Sequence, residues 1–289
     1  MLAVAALGFL ASCIRDSIPD CPPLRVNIVV KDKNYFNVDK VELEERRAEN
    51  LPFREYVPTL YWVLRDANSG KVVAESPLHE VEGDTQELPV EIGSPVVHGR
   101  YVLTVWGGLR SMDALGDDPT TFKMHRDNTE LNDIYLTNDT LLFDYWHNDH
   151  TVELERTKGK LIIEKLNLPA DVKRSEKKVT GLYSVVDNRF KYTGEVHVGK
   201  SSKIETPERV VNKTFLSPSL KIEGSLVSMD FIRQTEGGEV KISPNAVDIT
   251  MDRNRLTVIR YVWDPDREEF WIYVLVNDNW ELVKQMEVE

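Results

Sequence analysis

The chain has 289 residues, of which 41% are apolar and 29% charged, the balance of a folded globular protein rather than a disordered one. Its net charge of −12 disfavours nucleic acid as a partner and gives no electrostatic pull toward anionic lipid. Two cysteines, Cys13 and Cys21, exclude a disulfide-stapled scaffold, so the core must stabilise itself by burial.

The first 12 residues carry no charge. Leu2–Leu10 is an apolar run broken only by Gly8, too short for a spanning helix, which needs roughly 20 apolar residues. It fits the apolar core of a secretory signal. Leu10, Ala11, Ser12 and Cys13 follow. Small side chains at Ala11 and Ser12 admit an extended backbone to a peptidase cleft, and Cys13 supplies a thiol for alkylation by a diacylglyceryl group. The four residues resemble the lipobox of bacterial lipoproteins, which predicts a signal peptide over 1–12 and a mature chain starting at lipidated Cys13. About three acyl chains, at roughly 0.8 kcal/mol per buried methylene, make a practically permanent anchor.

Residues 13–23 read as a tether, with three prolines and two aspartates favouring extended backbone. From Leu24 the apolar period becomes two: Leu24, Val26, Ile28 and Val30 mark a half-buried strand. Further strands are expected at Leu60–Asp66, Lys71–Glu75, Arg100–Trp106, Thr140–Tyr145, Thr151–Glu155 and Lys160–Lys165. The second half repeats the pattern at Leu182–Val186, Phe190–Val198, Ser225–Ile232, Glu239–Ile242, Asp248–Met251, Leu256–Trp263, Glu269–Val276 and Trp280–Val288. Helical signals are few. Val38–Leu51 is the best of them, and Gly107–His125 has room for a short turn. Many short strands between turns indicate antiparallel β-sandwiches, and the expected division is 24–156 and 157–289, with the seam near Arg156–Gly159.

These residues also carry a resemblance. The Leu10–Cys13 lipobox, the Asp20–Val26 entry, Lys31–Asn37, Pro52–Leu60, Gly99–Gly108, Thr140–Phe143 and Val152–Arg156 are similar to the FimB/Mfa-type fimbrial proteins. Those are lipoproteins of Gram-negative anaerobes that anchor or cap type V pili. The resemblance implies two tandem transthyretin-like β-sandwich domains, pilin subunits of the same fimbria as partners, and attachment to the outer membrane by the N-terminal lipid. Neighbouring subunits would join by β-strand addition, main-chain hydrogen bonds giving affinity and side-chain pockets giving register. Trp280, Leu282, Val283, Met286 and Val288 form the candidate contact strand. In shaft pilins of that family a trypsin-like cut after a basic residue removes the first strand. The dibasic Arg46-Arg47 is the chemical match here, but a cut there would detach Cys13 from both sandwiches, so it is read as a solvated face paired with Glu42–Glu45.

Catalytic patterns are absent from the sequence. No Gly-rich phosphate loop follows a strand, no Gly-x-Ser-x-Gly elbow occurs, and no cysteine stands beside a histidine. His147 and His150 lack a third ligand for zinc. Asp264, Asp266 and Glu268 alternate like a calcium loop, but Glu269 occupies the position where such a loop needs glycine. The chain reads as non-enzymatic, without metal or cofactor. Among six tryptophans, Trp62, Trp106, Trp263 and Trp271 lie in strand patterns and are expected in the core, whereas Trp146 and Trp280 lie at strand ends beside polar residues. That keeps an alternative alive: a surface lipoprotein binding polysaccharide, recognisable by two or more coplanar exposed rings.

Overall fold

A computed structural model describes residues 22–93, 96–116, 119–130, 132–276 and 279–285. The expected signal peptide, the lipobox Leu10, Ala11, Ser12 and Cys13, and Met286 and Val288 lie outside the described residues. The first half supplies β1 (Leu24–Val30), β2 (Thr59–Asp66), β3 (Val72–Glu75), β4 (His79–Glu80), β5 (Leu88–Ile92), β6 (Gly99–Gly107), β7 (Thr121–Lys123), β8 (Tyr135–Phe143) and β9 (Asp149–Arg156). The second supplies β10 (Gly159–Leu166), β11 (Val172–Leu182), β12 (Val185–Asp187), β13 (Tyr192–Thr193), β14 (Val196–Lys203), β15 (Arg209–Leu216), β16 (Ser225–Thr235), β17 (Gly238–Ile242), β18 (Val247–Ile249), β19 (Leu256–Asp264), β20 (Glu269–Val276) and β21 (Asn279–Gln285). The chain is an all-β sandwich protein, as its two-residue apolar period predicts.

In the first half the strand order is β3-β2-β6-β8-β9-β1-β5, with β4 alongside β2. β8 and β9 share only the pairs Tyr135–Arg156 and Leu136–Glu155, so the sheet folds there into two layers. One core fills the space between them: Leu24, Val26 and Ile28 from one layer pack with Leu60, Leu103 and Val105 from the other. β6 lies between β2 and β8. Tyr101, Leu103 and Val105 enter that core, while Trp106 enters a second cluster with Phe122, Leu136 and Val186. Trp106 is fully buried, its indole N–H donating to the Pro119 carbonyl at 2.7 Å, and its ring stands 5.7 Å from Phe122. A tryptophan pays its polar cost only when the N–H finds a partner, and Pro119 provides it.

The second half folds as two facing sheets, β15-β10-β19-β20-β21 and β14-β11-β16-β17, with β18 on β16. Their core centres on the stacked rings of Phe231 and Phe270, 4.4 Å apart. A three-stranded sheet, β13-β12-β7, crosses the seam, because β7 of the first half pairs with β12 of the second.

The helix expected at Val38–Leu51 does not form. Only a 3-10 turn at Val38–Lys40 is present. Tyr35, Val38 and Val41 instead bury against Ile162, Leu256 and Val258 on the outer face of the β10–β19 pair. The Asn37 side chain clamps Leu256 from both sides, donating to its carbonyl at 3.0 Å and accepting from its N–H at 2.9 Å. The packing of three residues onto a sheet outweighs a helix propensity worth tenths of a kcal/mol per position. The α-helix of the first half is α1, Phe53–Tyr56, opening after Pro52. Five strands escaped the sequence pattern: the short β4, β5 and β7, and the longer β11 and β15. β11 carries Lys173, Arg174, Glu176, Lys177 and Lys178, and it buries Ser175 and Lys177 rather than alternating apolar residues. β15 sits at a sheet end with four half-exposed positions. The single strand expected at Phe190–Val198 is split by Gly194, where φ is +67° and an added Cβ would lie 2.2 Å from Ser184 Oγ.

Candidate functional site: an open sheet edge

Six strands end the main sheets, and most of them carry the features that discourage pairing with another chain. β3 has four residues, β5 contains Pro89 and Glu91, and β14 carries Lys200 and Lys203. β15 carries Arg209 and Lys213, and β17 carries Glu239 and Lys241. β21 differs. It pairs with β20 on one side, and no described strand covers the other. Trp280, Leu282 and Val283 are 38%, 48% and 41% exposed. The register shifts between Ile272 and Tyr273, so Lys284 faces Ile272, Leu282 faces Tyr273, and Val283 bulges between them. The Arg260 guanidinium lies 3.9 Å over the Trp280 ring, which fixes the indole against the sheet while leaving the strand's free side open. The predicted contact residues Trp280, Leu282 and Val283 therefore stand together on one exposed edge, and Met286 and Val288 fall beyond the described chain.

The other tryptophans divide. Trp106 and Trp263 are buried, as expected. Trp62 is half-buried and packs against the core of the first half, whereas Trp271 is half-buried outside it, a correction to its placement in the core. The Trp271 indole N–H donates to Asp264 at 3.2 Å, which holds it at the sheet surface. Trp146 is 81% exposed, but its neighbour Tyr145 meets it edge-on at 83°. The pair forms no flat platform for a sugar ring.

Polar candidates resolve into turns and clasps. His147 Nδ1 binds Asp144 at 2.9 Å, and Asp144 also accepts the N–H groups of Trp146 and His147. These bonds hold the Asp144 carboxyl below its ordinary range, the Trp146 N–H most strongly. Asp264 likewise accepts from Asp266 and Arg267 N–H groups, the geometry of a hairpin turn. Arg46 pairs with Asp39 and Glu49 instead of the expected Glu42–Glu45. Arg47 donates to the Glu55 carbonyl and lies 4.4 Å over Tyr56. Glu44 turns inward to Lys160 at 2.8 Å and Lys213 at 2.7 Å.

The most perturbed groups lie at the seam and were not legible in the sequence. Lys158 is fully buried with no hydrogen-bond partner for its ammonium, which lies 6.0 Å from the centre of the Phe122 ring, and burial lowers its pKa to about 7. His125 donates through Nδ1 to the Thr129 carbonyl at 3.2 Å and accepts the Ser217 N–H on Nε2 at 3.0 Å. Burial and the nearby Lys158 charge push it down to about 3. Arg156 is also buried. Desolvation, the largest single influence, opposes its charge, but the Asp133 carboxylate at 2.7 Å together with Tyr135 and Tyr35 outweighs it and raises the pKa. Thr157 and Lys158 look like linker residues in a sequence, and only the packing of two halves around them reveals the cluster.

No family model matches the chain, and no curated protein matches it in sequence. Solved structures do. A candidate adhesin from Bacteroides thetaiotaomicron superposes with a TM-score of 0.57 at 14% identity, covering 92% of this chain and 100% of that one. A candidate polysaccharide-binding protein from the same species gives 0.55 at 13% identity over 90% and 98%. The fimbrial anchor protein Mfa2 from Porphyromonas gingivalis is among the neighbours at 0.49 and 12% identity, covering 90% and 99%, a superposition too loose to bear an argument. What the chain shares with the two Bacteroides proteins, over nearly its whole length, is the all-β sandwich fold.

Proposed function

We propose that the chain is a cell-surface adhesion protein, an outer-membrane lipoprotein that serves as an anchor or accessory subunit of a type V fimbria. Its chemistry is association rather than catalysis, and pilin subunits of the same fimbria are its partners. The observation that carries the reading is the open β21 edge, where Trp280, Leu282 and Val283 expose apolar surface beside unpaired main-chain groups. An incoming strand gains the ladder hydrogen bonds and covers that surface. The Leu10–Cys13 lipobox supports attachment by lipid. β1 supports retention of the first strand, since it is held by β5 on one side and β9 on the other.

A photo-crosslinking residue at Val283 tests the edge in cells that make the fimbria. The expected product is a covalent adduct with a pilin subunit. Crosslinking only to lipid or to nothing, in cells whose pili still carry the protein, would reject strand addition at β21. Mass spectrometry of the protein from outer membranes tests the anchor: an N-terminus at Arg47 or Ala48 would replace the anchor by a cleaved pilin.

A further inference from the structure

Exposed apolar side chains gather at one end of the first half: Val97 is 68% exposed, Tyr145 46% and Trp146 81%. The β6–β8 ladder brings them to the same end. Gly99 at the start of β6 faces Phe143 at the end of β8, and the His98 ring stands 5.8 Å from that of Phe143. Tyr145 and Trp146 follow in the turn to β9, their rings 5.0 Å apart. This end lies opposite the seam, because β8 starts and β9 ends at the Tyr135–Arg156 pair. The chain enters the fold here as well. Arg25 faces Asp149 at the start of β9, and its N–H donates to the Asn148 carbonyl at 2.7 Å, two residues from Trp146. Whatever precedes Leu24 therefore departs beside the aromatic turn.

Leu24 is eleven residues after Cys13, a tether of at most about 40 Å when fully extended. A bilayer that holds an acylated Cys13 lies within that reach of Trp146. Tethering makes a second contact intramolecular, so even a weak one is populated. Tryptophan and tyrosine settle at the membrane interface, with ring carbon in the apolar layer and the polar edge among headgroups. Edge-on rings that suit no sugar face are no obstacle to insertion. The stretch 142–150 carries Asp144 and Asp149 and neither Lys nor Arg, so the contact rests on aromatic carbon and needs no anionic lipid. We propose that Val97, Tyr145 and Trp146 dock on the surface of the bilayer that holds the acylated Cys13. The first half then stands on its aromatic end, with the seam and the second half directed away from the lipid. This inference rests on the lipoprotein reading and adds an orientation to it.

Protein purified from outer membranes is checked for acylation of Cys13 by mass spectrometry and reconstituted into phosphatidylcholine vesicles. Half of the vesicles carry bromine near the headgroup end of the acyl chains, where it quenches any tryptophan that reaches it. Brominated lipid is expected to dim part of the emission of the native protein and of Trp280→Phe, and none of that of Trp146→Phe. Undiminished quenching in Trp146→Phe overturns the proposal, since another tryptophan would then meet the lipid. So does an acylated native protein that floats with the vesicles and is not quenched, which leaves the lipoprotein reading standing. A protein that carries no acyl chain and stays in solution overturns that reading, and the docking with it.

Discussion

β1 and β10 occupy the same place in the two halves. Each is the first strand of its half, antiparallel to one neighbour and parallel to another: β5 and β9 for β1, β15 and β19 for β10. Their sequences nevertheless differ in kind. β1, Leu-Arg-Val-Asn-Ile-Val-Val, buries alternate residues and gives Arg25 and Asn27 to Glu91 and Glu87 at the surface. β10, Gly-Lys-Leu-Ile-Ile-Glu-Lys-Leu, is buried at six of eight positions. The cause is a covering layer. The Tyr35–Val41 segment lies over Ile162 on the outer face of β10, whereas β1 has only solvent and ion pairs outside. Topology sets the ladder, and the number of covered faces sets the residues that fill it.

Four measurements break or sharpen that comparison, taken from the largest effect. Trp106 lies at the end of β6 where both faces are covered, so Trp106→Ala is expected to cost about 3–5 kcal/mol in denaturant unfolding. An unchanged midpoint would mean the second face of β6 is open. Ile162→Ala, on the covered outer face of β10, should cost about 2–5 kcal/mol. A loss below 1 kcal/mol would show that the Tyr35–Val41 layer is not seated on β10.

The third measurement addresses the seam between the two strands. Lys158 binds its proton at about 10.5 when unfolded and about 7 when folded. The unfolded state therefore holds more protons between those values, and stability falls as pH drops from about 10.5 to about 7, then no further from this group. His125, lowered from 6.5 to about 3, adds a second loss as pH drops through that lower window. At about 1.4 kcal/mol per pH unit, Lys158→Met should stabilise the protein at pH 7 by about 2–4 kcal/mol, flatten the upper window, and shrink the lower one in part, because the Lys158 charge helps depress His125. A variant that is less stable at pH 7 would show that the buried ammonium has a partner. The smallest effect is expected at the open face of β1. Arg25→Ala removes an ion pair whose side chains are 54% and 62% exposed, so the midpoint should shift by less than about 0.5 kcal/mol. A larger shift would mean that β5 depends on this pair to stay docked.

Strands with dense apolar residues were legible whether one face or both is covered, β1 as well as β6 and β10. The alternation in β1 and the turn residues around β19 and β20 announce themselves, and Trp280, Leu282 and Val283 were readable as an apolar terminal strand. β11 was not, because its inward positions include Lys177, whose ammonium meets Glu130 at 2.5 Å, a residue 47 places earlier in the chain. Lys165 is similar: buried, with Ser175 and Asn212 as neutral partners and a pKa lowered by burial to about 8. Charges neutralised or solvated by distant partners read as surface in one dimension. The segment 38–51 misled in the opposite way, since its three-residue apolar spacing suits a helix as well as a strap lying across a sheet. The buried cluster of His125, Arg156 and Lys158 at the seam had no local signature, because its partners Asp133, Thr129 and Ser217 come from stretches apart in sequence.

The position of β1 has a mechanical consequence. A tether ahead of Leu24 would deliver tension to the end of a strand that is laced on both edges, by five register pairs to β5 and six to β9. A pull along that strand loads both ladders in shear, so they must fail together rather than open one bond at a time. Beyond it, the strap on β10, the Asn37–Leu256 clamp and the β7–β12 pairing carry the load across the seam. Lifetime under force is governed by the rate of unfolding. A joint clasped at three places shares the load, so no single contact has to hold the two halves together.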